Sequence, residues 1–187
     1  MHHNHKTWID AFRHAFDGMA ADLAVVLNAK GCREGWIQAE LFRRLSQSDP
    51  DFSVNSYKLS KGKTADLHGQ KPNPMLAEVK VLGTEGYYNK NLAGCSNLAL
   101  FLPANEKDRV DLCDEHLAVV DDAVDSLLRD FGRLKSAPAN FERYLILVLQ
   151  TSGVADTFGK AISAIRVTAN ETTLSYPEVL VRIWRIE

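Results

Sequence analysis

Residues 64–82, Thr64 to Leu82, read TADLHGQKPNPMLAEVKVL, and the alternation inside this stretch decides how the rest of the chain is arranged. Met75 to Leu82 is an extended run, and in a strand successive side chains take opposite faces. Glu78 and Lys80 therefore share a face with Leu76 and Leu82, while Ala77, Val79 and Val81 take the other. An E-x-K in a strand is often only a solvated face, where opposite charges two residues apart contribute little. Here the charges sit in mid-strand between apolar residues. Thr64 to Leu67 reads as the preceding strand, with Asp66 near its end, and His68 to Pro74 as a loop with two prolines. The span between Asp66 and Glu78 is long enough to turn the chain back, so an antiparallel or splayed neighbour brings the two carboxylates together. Two carboxylates beside an ammonium suit a hard divalent cation such as Mg2+, which keeps several waters and adds a substrate phosphate. Lys80 is then suited to orienting an attacking water or to stabilising charge at phosphorus.

Working outward, residues 7–28 carry Trp8, Phe12, Phe16, Met19, Leu23, Val26 and Leu27 at helical spacing, with Gly31 as the stop. A second helix over residues 33–46 carries Trp36, Ile37, Leu41 and Leu45 and ends before Asp49-Pro50. Phe52, Val54 and Tyr57 then alternate with polar residues, and Ser60 to Lys63 suits a hairpin turn. Downstream, Leu117, Val120, Val124, Leu127, Leu128, Phe131 and Leu134 restore helical spacing over Asp114 to Ser136. Tyr144 to Leu149 is a continuous apolar run, as in a strand buried on both faces. Ile162 to Thr168 and Val179 to Ile186 read as two more strands around turn material from Asn170 to Pro177. The order predicts one α/β domain over residues 1–187, with residues 1–6 frayed, a mixed sheet flanked by helices, and a C-terminal β pair. Val179, Val181 and Ile183 are read either as a dimer surface or as core of the monomer.

Composition narrows the partners. The chain has 187 residues, 22 Lys+Arg against 24 Asp+Glu, and a pI near 6.3, which excludes a uniformly basic surface but not a local one. No run approaches the roughly 18 apolar residues a membrane span needs, and the N-terminal residues lack a signal peptide's apolar stretch. Cys32, Cys95 and Cys113 are odd in number and scattered, which fits a reducing, cytoplasmic setting. Residues 58–90 hold six lysines (Lys58, Lys61, Lys63, Lys71, Lys80, Lys90) against three acids, a surplus that brackets the proposed site as phosphate contacts should. Tyr87 and Tyr88 suit base stacking, although surface lysines and loop tyrosines are also common without any ligand. The acid-rich span Glu106 to Asp130 reads as a solvated face turned away from nucleic acid.

In element order and in Asp66, Glu78 and Lys80, the chain resembles the PD-(D/E)xK nuclease superfamily, the restriction-endonuclease-like fold. The resemblance covers residues 20–150 and implies an αβββαβ core, here with an extra N-terminal helix. The proline that often precedes the first acid is replaced by Ala65. What it implies is Mg2+- or Mn2+-dependent hydrolysis of DNA phosphodiesters in defence, restriction or repair, with Asp66 and Glu78 as metal ligands and Lys80 catalytic. It also implies a further acid from the helix before the first strand. Glu34, in GCREGWI, and Glu40, in QAEL, are the two candidates, with Gln38 one turn beyond Glu34. Each glutamate has a plain alternative: Glu34 at a helix N-terminus and Glu40 paired with Arg44. Cutting both strands of a duplex with one site per chain favours a homodimer, though the sequence leaves the oligomeric state open. The alternative is a catalytically inactive binding or interaction module of the same fold.

Overall fold

The computed structural model describes residues 5–29, 33–60, 63–82, 127–150 and 169–187. Helix α1 (Trp8–Asn28) starts where Thr7 caps it: the Thr7 hydroxyl accepts from the Asp10 N–H at 3.1 Å. Its apolar stripe of Trp8, Phe12, Phe16, Met19, Leu23 and Leu27 is fully buried. The helix ends at Ala29 in extended backbone; Gly31, expected to stop it, lies outside the described residues. Helix α2 (Arg33–Leu45) buries Ile37, Leu41 and Leu45 beside α1. The buried Arg33 donates to the Ala29 carbonyl at 2.6 Å, and Arg44 donates to the Gly18 carbonyl at 2.6 Å, pinning the two helices together.

Six strands form one mixed sheet in the order β1-β4-β5-β6-β8-β7. They are β1 (Ser53–Val54), β4 (Leu67–Gly69), β5 (Met75–Leu82), β6 (Glu142–Gln150), β7 (Ala169–Tyr176) and β8 (Val179–Ile186); β2 (Lys58–Ser60) and β3 (Lys63–Thr64) form a separate antiparallel pair. All neighbours in the main sheet are antiparallel except β5 and β6, which run parallel with Glu78 opposite Leu145 and Lys80 opposite Leu147. A parallel pair needs a crossover, and residues 127–135, the described part of a third helix α3, lie within it. Helices α1 and α2 cover the sheet face of Ala77, Val79, Tyr144, Ile146 and Val148. Leu127 and Leu134 of α3 cover the opposite face, with Leu76, Leu145 and Leu147.

Four expectations are corrected and one open alternative is resolved. The segment before Ser60 and its return are each split in two, because Asn55 takes a positive φ of 50° and breaks the first run. Its N–H then goes to the Asp66 carbonyl at 3.0 Å, while the Ala65 N–H goes to the Tyr57 carbonyl at 2.8 Å. Asp66 consequently lies between β3 and β4 rather than at a strand end. His68 and Gly69 belong to β4, opposite Leu76 and Met75, so the loop before β5 is only residues 70–74. Residues 170–176 are not turn material but most of β7, a polar strand at the sheet edge; the turn is Pro177-Glu178, with Glu178 at φ 60°. Finally, Val179, Val181 and Ile183 are fully buried within the chain, which removes them as a dimer surface. Within the expected Asp114–Ser136 helix, residues 127–135 are helical; its start and the expected 162–168 strand lie outside the described residues.

Candidate functional site

β4 is short, and its shortness builds the site. It begins at Leu67, opposite Ala77, so β5 beyond Ala77 has no β4 main chain to pair with. The Asp66 side chain takes over: its Oδ2 accepts from the Val79 N–H at 2.7 Å. That bond holds the Asp66 carboxyl beside Glu78, close enough for each to shift the other's ionisation. Glu78 is 1% exposed. Burial, and then the negative charges of Asp66 and Asp130, push its carboxyl up to about 8, against the pull of Arg133. Asp66 is also raised, first by burial; the Val79 N–H, Glu78 and Lys80 oppose the shift. The pair thus titrates as a unit, one proton being held between two acids.

Lys80 emerges from β5 on the same face as Glu78, and its Nζ lies 2.8 Å from Oδ2 of Asp130 on α3 and 3.9 Å from Oε2 of Glu34 on α2. Asp130 is 2% exposed, which corrects its assignment to a solvated acidic face. Arg133, one turn along α3, pairs closely with Asp130 Oδ1 and reaches Glu78 Oε1 at 3.3 Å. Sequence reasoning missed both residues. The signal for Asp130 was present: it falls on the Leu127–Leu134 stripe at helical spacing, so the periodicity that identifies the helix also turns this acid inward.

The two helix glutamates separate cleanly. Glu34 faces the site, with its side chain 41% exposed at the mouth; burial raises its carboxyl, Lys80 lowers it, and Asp66 and Asp130 raise it further. Glu40 is instead held by Arg43 at 2.8 Å and Arg44 at 3.2 Å, and Arg44 in turn reaches α1. Gln38 is buried; its Nε2 donates to Glu34 Oε1 at 3.4 Å and its Oε1 accepts from Asn55 at 3.2 Å, so it steadies Glu34. Lys58, Lys63 and Lys71 are exposed, whereas Lys61, Tyr87, Tyr88 and Lys90 lie outside the described residues.

The side chains that meet here are four acids (Glu34, Asp66, Glu78, Asp130) and two cations (Lys80, Arg133). Among the described residues no group of three or more His, Cys, Asp or Glu side chains is arranged as a ready cage for a metal ion. Mg2+ does not require one, since one or two carboxylates with waters and a phosphate complete its shell. The donor set therefore fits such an ion through Asp66 and Glu78, whose buried Oε1 lacks a hydrogen-bond partner. No protein-family model, curated protein or solved structure matches the chain. Among the described residues no helix is long and apolar enough to cross a membrane.

Proposed function

We propose that this chain is a divalent-metal-dependent nuclease of the restriction-endonuclease-like type, acting on DNA in a cytoplasmic setting. The observation that carries the reading is the Asp66 carboxyl fixed beside Glu78 by its 2.7 Å bond to the Val79 N–H, with Lys80 two residues along the same strand as Glu78. The connectivity supports it as well: a helix, two antiparallel neighbours, β5, α3 and then the parallel β6 follow the order that the resemblance implies.

On this reading Asp66 and Glu78 would hold Mg2+ or Mn2+. When bound, such an ion acidifies water and neutralises phosphate charge. Lys80, steadied by Asp130 and Glu34, offers an ammonium to the phosphoryl oxygens, where charge builds as the nucleophile adds. Glu34, at the open mouth, is placed to accept a proton from an incoming water. The exposed Lys58, Lys63 and Lys71 supply sequence-independent phosphate contacts.

One observation favours the inactive binding module: Glu78 and Lys80 already have ionic partners in Arg133 and Asp130. Calorimetry with Mn2+ and a cleavage assay on supercoiled DNA separate the two readings. The nuclease reading expects Mn2+ binding that Asp66→Ala and Glu78→Ala each abolish, and a Lys80→Ala variant that binds Mn2+ without cutting. Undiminished cutting by Lys80→Ala overturns the assignment. Mn2+ binding without cutting by the unmodified chain, on any DNA form, favours the module.

A further inference from the structure

The least satisfied polar atoms near the site are on Glu78 and Arg133. Glu78 Oε1 and Arg133 Nε are buried without a hydrogen-bond partner, while Asp130 Oδ2 faces the Lys80 ammonium at 2.8 Å. A guanidinium is a planar fork that bonds best when it grips a carboxylate with two parallel N–H groups. Arg133 does not use its Nε edge for this: the same terminal nitrogen, Nη2, touches Asp130 and leans toward Glu78 at 3.3 Å, leaving Nε unused. Its grip on Asp130 is tight and its grip on Glu78 is loose. Its side chain is also 28% exposed, against 2% for Glu78, so it has room to withdraw.

From this we infer that Arg133 is a resident counter-cation that competes with the divalent ion for Glu78 and is retained by Asp130 when the ion binds. The inference rests on the proposed metal site and adds an exchange step to it. Arg133 stands against Glu78 Oε1 in the metal-free protein, and Asp130 provides it with a place to go. Arg133 is thus a positioning residue that sets the affinity of the site without touching the substrate.

Mn2+ titration calorimetry on the full chain tests this, with wild type, Arg133→Gln, Arg133→Lys and Arg129→Gln. Arg129 is exposed and one turn away on the same helix, so Arg129→Gln removes an equal charge from the general field. Arg133→Gln should tighten Mn2+ about fivefold, the upper worth of one partly exposed ion pair. Arg133→Lys should stay within about twofold of wild type, as should Arg129→Gln. An equal gain in Arg129→Gln and Arg133→Gln, or no gain in Arg133→Gln, overturns the inference. Should Arg133→Gln not fold, wild-type side-chain 15N NMR decides: the Arg133 Nε–H resonance, assigned by its loss in Arg133→Lys, should move as Mg2+ saturates. A resonance fixed through saturation overturns the inference. Failure of both wild type and Arg133→Gln to bind Mn2+ would sink the metal site itself. Binding that needs Asp66 and Glu78 but ignores Arg133 would sink only the exchange.

Discussion

Replacing Glu78 by glutamine should stabilise the metal-free protein at alkaline pH, the reverse of what deleting a structural ion pair does. Glu78 is 1% exposed, and burial beside Asp66 and Asp130 moves its carboxyl from 4.5 to about 8. A carboxyl whose pKa is raised by folding favours the folded state fully below its unfolded value and loses that advantage as the pH climbs through its folded value. The relevant window therefore runs from about pH 4.5 to about pH 8. At about 1.4 kcal/mol per unit, the shift sets an upper bound near 5 kcal/mol. The proton is shared with Asp66, whose carboxyl is raised too, and Glu78→Gln forfeits the Arg133 contact, so roughly 2–3 kcal/mol is the expected gain. For a chain of this length that corresponds to a rise in Tm of about 4–12 °C. Thermal unfolding of both proteins in chelator, from about pH 4.5 to about pH 8.5, should give a Tm difference that is small in acid and widens with pH. Added Mn2+ should then stabilise wild type alone, by binding its native state. A Tm difference that is flat with pH, or a variant that loses stability in alkali, would refute the claim that burial protonates Glu78.

Three further outcomes concern the scaffold and the mouth of the site. The buried Asp49 carboxylate accepts from the N–H groups of Asp51, Gln70 and Lys71 at 3.2, 2.6 and 3.1 Å, stapling the end of β4 to the segment after α2. Asp49→Ala should cost about 2–4 kcal/mol in urea unfolding by orphaning those donors. A Cβ on Gly69 would run into the Trp8 indole, so Gly69→Ala should cost about 1–3 kcal/mol and perturb tryptophan fluorescence. Glu34→Gln should weaken Mn2+ binding measured by calorimetry, whereas Glu40→Gln, which disturbs only Arg43 and Arg44, should leave it unchanged.

Much of this arrangement is legible in the sequence wherever one periodicity governs a long segment. Met75 to Leu82 reads as a strand because its apolar residues alternate, and it is one with those bounds. The stripe from Trp8 to Leu27 reads as a helix for the same reason. What is not legible has physical causes. β7 is a polar edge strand, whose Asn, Glu, Thr and Ser residues imitate turn composition because little of it is covered. Asp130 was averaged into an acidic composition, although its phase along the helix already separated it from its solvated neighbours. Arg133 could be recognised only from the crossover that lays α3 over β5, a tertiary relation no local pattern encodes.

The deviation at Asp66 joins the fold to the chemistry. A regular hairpin would have run β4 alongside the whole of β5 and given the Val79 N–H an ordinary carbonyl. Instead the chain leaves the sheet at Ala65, drawn by the Tyr57 carbonyl, and a side chain must satisfy the orphaned donor. A buried N–H without a partner costs about 1–3 kcal/mol, so this bond offsets part of the penalty of bringing a second acid next to Glu78. An alanine at position 66 would remove the acid and expose that cost together. Asparagine would keep the acceptor while removing the charge. Comparing the two variants therefore separates what Asp66 does for the sheet from what it does for the site.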